Sequence, residues 1–148
     1  MPKEATVIFA GTFHRTMDAK NRVTIPSDWA ASRIDAFYLL PANRRVNVMP
    51  ASELARQEQE LREMLPAGAA RQEALRVIYG SARRVEPDAQ GRILIPEELC
   101  KHAELHGEVA VVGVKDRFEI WNPANLPAAA SAETTSEEAR QALAALGY

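Results

Sequence analysis

Arginine and lysine set around a tight turn offer one kind of chemistry. A guanidinium can make two parallel hydrogen bonds to guanine O6 and N7, and an ammonium can neutralise a phosphate. Arg15, Lys20 and Arg22 supply that combination in and just before the stretch Asp18-Ala19-Lys20-Asn21-Arg22-Val23-Thr24-Ile25-Pro26. The stretch returns seventy residues later as Asp88-Ala89-Gln90-Gly91-Arg92-Ile93-Leu94-Ile95-Pro96, with five of nine positions identical. Arg84 and Arg92 give the second copy its cations, but Gln90 stands where the first has Lys20. The second turn is therefore the less basic of the two. Either arginine can equally pair with the aspartate of its own turn; for Arg22, with Lys20 and Arg15 beside it, base contact is the favoured reading.

Other chemistries fit less well. Asp18 and Asp88 invite comparison with the paired carboxylates of aspartic proteases. Such sites need a small hydroxyl residue and Gly after the Asp, and here Ala19-Lys20 and Ala89-Gln90 follow. Cys100, His102 and His106 could begin a metal site, but a fourth ligand is missing, and a lone Cys on a short helix reads as a small core residue. No phosphate-binding loop, nucleophile elbow or paired metal motif occurs. The expectation is a protein that is not an enzyme, with no cofactor, no metal and no small-molecule substrate.

The elements that must position the cations follow from the repeat. Asp18 and Asp88 open turns in which the carboxylate can accept from backbone N–H groups two residues on. Asn21 and Gly91 occupy the fourth place, and both tolerate positive φ. Arg22 to Ile25 then reads as a strand with Val23 and Ile25 on one face and Arg22 and Thr24 on the other. Pro26 and Pro96 end the ladder and begin short helices, where a missing N–H costs nothing. Each copy is turn, strand, Pro, helix. Two copies are too few for a solenoid and imply one small unit duplicated, each half unable to bury its apolar face alone.

The rest of the 148-residue chain is compatible with one small core. Apolar residues make up 47% and charged residues 26%, and the formal net charge is −2, which does not advertise nucleic-acid binding. The charge is unevenly spread: residues 1–50 are net positive by three, and the acidic excess falls later. The single cysteine, Cys100, excludes an intrachain disulfide and fits a reducing compartment. No apolar run suffices to span a bilayer, and Met1-Pro2-Lys3-Glu4 does not open a signal peptide, so no membrane partner is expected.

In order, strands are expected at Thr6–Ala10, within Gly11–Met17, at Phe37–Pro41 and at Arg45–Met49. Helical turns are expected from Ser27 to about Arg33, with Trp29 inward. Two helices, Ala51 to about Leu65 and Ala69 to about Gly80, link the repeats. Their stripes (Leu54, Leu61, Met64, Leu65; Ala74, Leu75, Ile78, Tyr79) read as core packing. The second half repeats the plan: strand Ala82–Glu86, helix Glu97–His102, strands Val109–Val114 and Arg117–Trp121. In the C-terminal stretch Thr135 with Glu138 could cap a short helix within a loosely packed tail. The division is 5–50 first repeat, 51–80 helical linker, 81–123 second repeat and 124–148 flexible tail.

Two Asp-x-x-Gly/Asn-Arg-apolar-x-Ile-Pro copies around a helical pair, with Val111-Val112-Gly113 and Phe118-Glu119-Ile120-Trp121 near the end of the second, resemble the MraZ family of bacterial transcriptional regulators. The repeat unit alone is similar to the wider AbrB-like (SpoVT-AbrB) group. The resemblance spans roughly residues 8–122. It implies an α+β, mainly β fold: a double-split β-barrel of two pseudo-twofold repeats. It further implies binding of double-stranded DNA at repeated boxes near the division and cell-wall gene cluster, ring-shaped homo-oligomers, and a cytoplasmic, nucleoid-associated location. The family's DNA-contacting Arg maps onto Arg22 and its basic neighbour onto Lys20. This chain departs in Asn21, where the family carries Gly, in a longer opening with Phe9-Ala10-Gly11, and in a compact first hairpin. AbrB-like modules also serve as antitoxins whose C-terminal tail covers a toxin, and residues 128–148 could serve so here.

Overall fold

A computed structural model describes residues 7–30, 34–127 and 136–148. The expected strand start at Thr6, helical end at Arg33 and cap at Thr135 lie outside them. In order the elements are β1 (Thr12–Thr16), β2 (Arg22–Thr24), α1 (Ser27–Ala30), β3 (Phe37–Ala42), β4 (Arg45–Met49), α2 (Ala51–Met64), α3 (Ala69–Ser81), β5 (Arg83–Val85), β6 (Arg92–Leu94), α4 (Glu97–His102), β7 (Glu108–Gly113), β8 (Phe118–Trp121) and α5 (Glu137–Ala145).

Six strands form one antiparallel sheet in the order β1-β7-β8-β4-β3-β5, and β2 pairs with β6 in a separate two-stranded ribbon. Exchanging each strand for its counterpart in the other repeat turns the sheet order into its own reverse. The registers obey the same exchange. Val23 faces Ile93 at the centre of the ribbon, and Asn47 faces Glu119 near the centre of the β4–β8 ladder. Arg15 faces Val109 on one flank as Val85 faces Phe37 on the other. A pseudo-twofold axis therefore runs through the ribbon and the middle of the sheet. The ladder stops at β1 and β5 without closing, and the ribbon lies over the same core. That is a mainly β, α+β barrel split on both sides of the ribbon.

Pairing across the repeats explains why one copy cannot stand alone. β1, β2, β3 and β4 each pair with a strand of the second half. Alternation then directs Val23, Ile25, Ile93 and Ile95 into one buried cluster with Val46, Val48, Val109, Val111 and Ile120. Phe9, Trp29, Phe37 and Phe118 meet at its centre, with Trp29 and Phe118 ring centroids 4.9 Å apart. Pro26 and Pro96 start equivalent helical turns, in which Trp29 N and Leu99 N donate to the proline carbonyls at 3.0 Å.

Three expectations need correction. Among its described residues, the stretch expected as a first strand pairs only at a bridge, Phe9 to Lys115. The bridge keeps the register of the β1–β7 ladder, which is interrupted at Gly11, held at φ 103°, and a Cβ on Gly113 would lie 2.4 Å from the Phe9 carbonyl. Of the α2 stripe only Leu54 is buried, and Met64 is exposed. The helix touches the sheet through its first turn, where its second buried residue is Glu53. α3 buries no residue fully, and Ile78 packs at the edge of a small Leu40-Met49-Leu54 cluster. The short helix expected in the C-terminal stretch is present as α5, and the Ser136 hydroxyl at its start accepts from Ala139 N at 3.3 Å. Among the described residues no helix is long and apolar enough to cross a membrane.

Candidate nucleic-acid interface

Each repeat builds the same turn around its aspartate. Asp18 Oδ1 accepts from the backbone amides of Lys20 and Arg22, both at 2.9 Å, and Asp88 Oδ1 accepts from Gln90 and Arg92 at 2.9 Å. Backbone bonds close the loop: Asp18 N donates to Arg22 O at 3.0 Å and Asp88 N to Arg92 O at 2.9 Å. The fourth residues take the left-handed conformation, Asn21 at φ 61° and Gly91 at φ 73°. Asn accepts that conformation at small cost, so the missing glycine does not alter the turn.

The second carboxylate oxygen holds the arginine. Arg22 Nε lies 2.7 Å from Asp18 Oδ2, and Arg92 Nε lies 2.8 Å from Asp88 Oδ2. Gripping Nε leaves the outer edge of each guanidinium, with its two terminal nitrogens, turned from its own carboxylate. That edge is the one a bidentate contact to guanine needs. The Arg22 amide, the Arg22 guanidinium and the Lys20 amide hold the Asp18 carboxyl below its ordinary value, and Arg92 and Gln90 do the same for Asp88.

Two backbone bonds cross between the repeats and lock the turns to the ribbon. Ile25 N donates to Gly91 O and Ile95 N to Asn21 O, both at 2.9 Å. The ribbon's inner face is Val23 and Ile93, fully buried. Its outer face is therefore Arg22, Thr24, Arg92 and Leu94, with Arg22 opposite Leu94 and Thr24 opposite Arg92. The two halves are not equal. Asp18 Oδ2 also lies 3.8 Å from Arg92 Nη1, so among the described residues Arg92 sees two carboxylates and Arg22 one.

The other expected cations divide. Lys20 is exposed at the tip of the first turn. Arg15 reaches the ribbon: its Nε donates to Thr24 O at 3.3 Å, and its guanidinium stacks over Phe13 with 5.3 Å to the ring centroid. Arg84 is not brought to this group. It stands on β5, at the opposite edge of the sheet from β1, opposite Tyr38, with Nη1 3.5 Å from Glu86. Its symmetry counterpart is His14, not Arg15. Thr24 and Leu94 are outer-face residues that the sequence reading leaves unassigned as contacts. The alternation read for Arg22 to Ile25, applied to the second copy from Arg92, puts Leu94 on that face.

The Cys100, His102 and His106 trio does not converge. Cys100 is buried with its thiol 3.6 Å from Ile95 O, and burial pushes that thiol up. His102 Nε2 donates to Ala42 O at 2.6 Å. Among the described residues no group of three or more His, Cys, Asp or Glu is arranged to hold a metal ion.

Comparison with known proteins decides the family. The chain is 36% identical over 120 residues to a transcriptional regulator MraZ of Pediococcus pentosaceus, covering 79% of this chain and 82% of that one. It is 34% identical to the regulator of that name from Desulforamulus reducens, over 78% of this chain and 82% of the relative. The chain belongs to the MraZ family. The Leuconostoc mesenteroides member, also named transcriptional regulator MraZ, is 33% identical over 132 residues, 88% of this chain and 91% of that one. A family model described as "MraZ protein, putative antitoxin-like" matches residues 78–145. The relatives carry the name of a regulator and not of an enzyme, in keeping with a site built from arginines and turns.

Proposed function

We propose that this MraZ-family chain binds double-stranded DNA sequence-specifically through the outer face of the β2–β6 ribbon. The observation that carries the reading is that face itself, with Arg22 and Arg92 each held by its own turn. A two-stranded ribbon fits the major groove, and a held guanidinium can read guanine there. Arg22 is the principal base reader, since it shares fewer carboxylates than Arg92. Lys20 and Arg15 contact phosphates. Arg84, which holds the position of His14 on its strand and pairs with Glu86, is a weaker candidate for a phosphate contact.

One ribbon carries few phosphate contacts, so the working species is a ring-shaped homo-oligomer on repeated promoter boxes, where linked sites raise the effective concentration. By family resemblance the target is the promoter of the division and cell-wall gene cluster, in the cytoplasm at the nucleoid. The test is an electrophoretic shift with the DNA immediately upstream of its own coding sequence, titrated with salt, alongside light scattering. The expected result is cooperative shifting by an oligomer with affinity falling steeply as salt rises. Equal binding to unrelated DNA, or a monomer with full affinity, would contradict it.

A second reading rests on α5. Leu143 on α5 and Leu146 and Tyr148 just after it are exposed, and an antitoxin-like tail would use such residues to capture a partner protein. A stoichiometric partner that is lost on deleting residues 124–148 would favour that reading.

A further inference from the structure

Leu94 is half exposed, at 50%, and belongs to neither buried cluster among the described residues. The other exposed large apolar side chains lie on α2 and α3 (Met64, Val77, Tyr79), beside the Phe9–Lys115 bridge (Ile8, Val114) or in and just after α5 (Leu143, Leu146, Tyr148), and none is on the ribbon. Leu94 instead stands on the ribbon's outer face, directly opposite Arg22 and two residues from Arg92 on its own strand. Directly opposed residues bring their Cβ atoms to about 5 Å. The leucine is thus set across the ribbon from Arg22, with half of its surface open among the described residues. An exposed leucine flanked by held arginines suits a surface that is polar and charged overall but carries apolar points. The major groove is such a surface, because thymine presents its C5 methyl there.

We propose that Leu94 is a specificity-determining residue that packs on the methyl of a thymine neighbouring the base read by Arg22. The proposal rests on the DNA-binding reading above and extends it to a base. The pseudo-twofold sharpens it. Arg92 faces Thr24, the smaller counterpart of Leu94, so the ribbon's two ends are chemically unequal. The Arg22 end demands thymine more strongly than the Arg92 end does.

The test uses the full chain and the duplex immediately upstream of its coding sequence, prepared once with thymine and once with uracil throughout. Uracil lacks only the C5 methyl. Wild type, Leu94→Ala and Leu94→Thr are titrated at one salt concentration, with melting curves and sedimentation as controls. Wild type should lose roughly fourfold in affinity for each methyl it packs against. Leu94→Ala should bind the thymine duplex about as weakly as wild type binds the uracil duplex, with little further loss on uracil. Leu94→Thr, which keeps one methyl, should fall between. Melting should be unchanged, because the side chain lies outside the core. An equal thymine-to-uracil penalty for wild type and Leu94→Ala would overturn the proposal. So would a change in oligomer size without a change in that penalty, which would place Leu94 between copies of the chain. Failure of wild type to bind the thymine duplex at all would overturn the DNA-binding reading itself.

Discussion

At the scale of single residues the turn aspartates set the site. Each carboxylate spends one oxygen on two backbone amides and the other on its arginine. Both carboxyls are held below their ordinary value of 3.8. A group whose folded pKa is depressed stabilises the fold above its unfolded pKa, and that contribution is lost as pH falls through the folded value. Melting temperature should therefore drop on acidification below about pH 4. Asp18→Asn with Asp88→Asn should be less stable than wild type at neutral pH, and the gap should close in acid. A gap that stays constant down to pH 2 would mean the carboxylate charge contributes nothing. Lys20 has a different role at this scale. Lys20→Ala should weaken binding to every duplex alike and reduce the salt slope by about one, as a phosphate contact does. A loss confined to one sequence would contradict that.

At the scale of elements, two carboxylates are buried with partners of their own, Glu119 on β8 and Glu53 on α2. Glu119 accepts from Trp121 Nε1 at 2.9 Å and sits 3.1 Å from both Arg45 Nε and Arg117 Nη2. Arg45 also bonds Asn47 at 2.9 Å and stacks on Trp121. On α2, Glu53 is buried and bonded by Arg56 and Gln57, with Arg56 mainly holding its carboxyl below the usual range. The two carboxylates differ in what they leave behind when removed. The partner Arg56 is 51% exposed and can turn to water, whereas Arg45 and Arg117 are 23% and 24% exposed. Glu119→Ala should cost about 3 kcal/mol and Glu53→Ala roughly 1 kcal/mol in urea unfolding. Equal costs would mean the partners of Glu119 find water as readily as Arg56 does.

The contents of each element are legible in the sequence where a local rule governs them. Asp, a residue tolerant of positive φ, alternating apolar residues and Pro define turn, strand and helix start in both repeats. What is not legible depends on partners distant in the chain. Nothing local states that β2 meets β6, or that Glu53 and Glu119 are buried, since a charge is buried only when its partner arrives. The exposure of Met64 follows likewise from how little of α2 the sheet reaches. For the site, Arg22, Lys20 and Arg15 gather at the ribbon as their spacing suggests, whereas Arg84 does not, because it holds the position of His14 on its strand and Val85 holds that of Arg15.

At the scale of the molecule the two repeats form one body, since every strand of the first half pairs with a strand of the second. A fragment ending at Leu65 leaves those edges and the apolar face of Val23 and Ile25 without cover, and should be unfolded or aggregated. A folded monomeric fragment, seen by sedimentation and circular dichroism, would refute the single-body architecture. The same architecture makes one ribbon out of two repeats, and the central claim is that its outer face reads DNA through Arg22. The most direct measurement is a binding titration of wild type, Arg22→Ala and Arg92→Ala against the upstream duplex, with melting curves as the folding control. Arg22→Ala should lose about 1–3 kcal/mol per site, which an oligomer repeats at every box, so that specific binding disappears while melting stays near wild type. Arg92→Ala should lose less. Wild-type affinity in a folded Arg22→Ala variant would contradict the account.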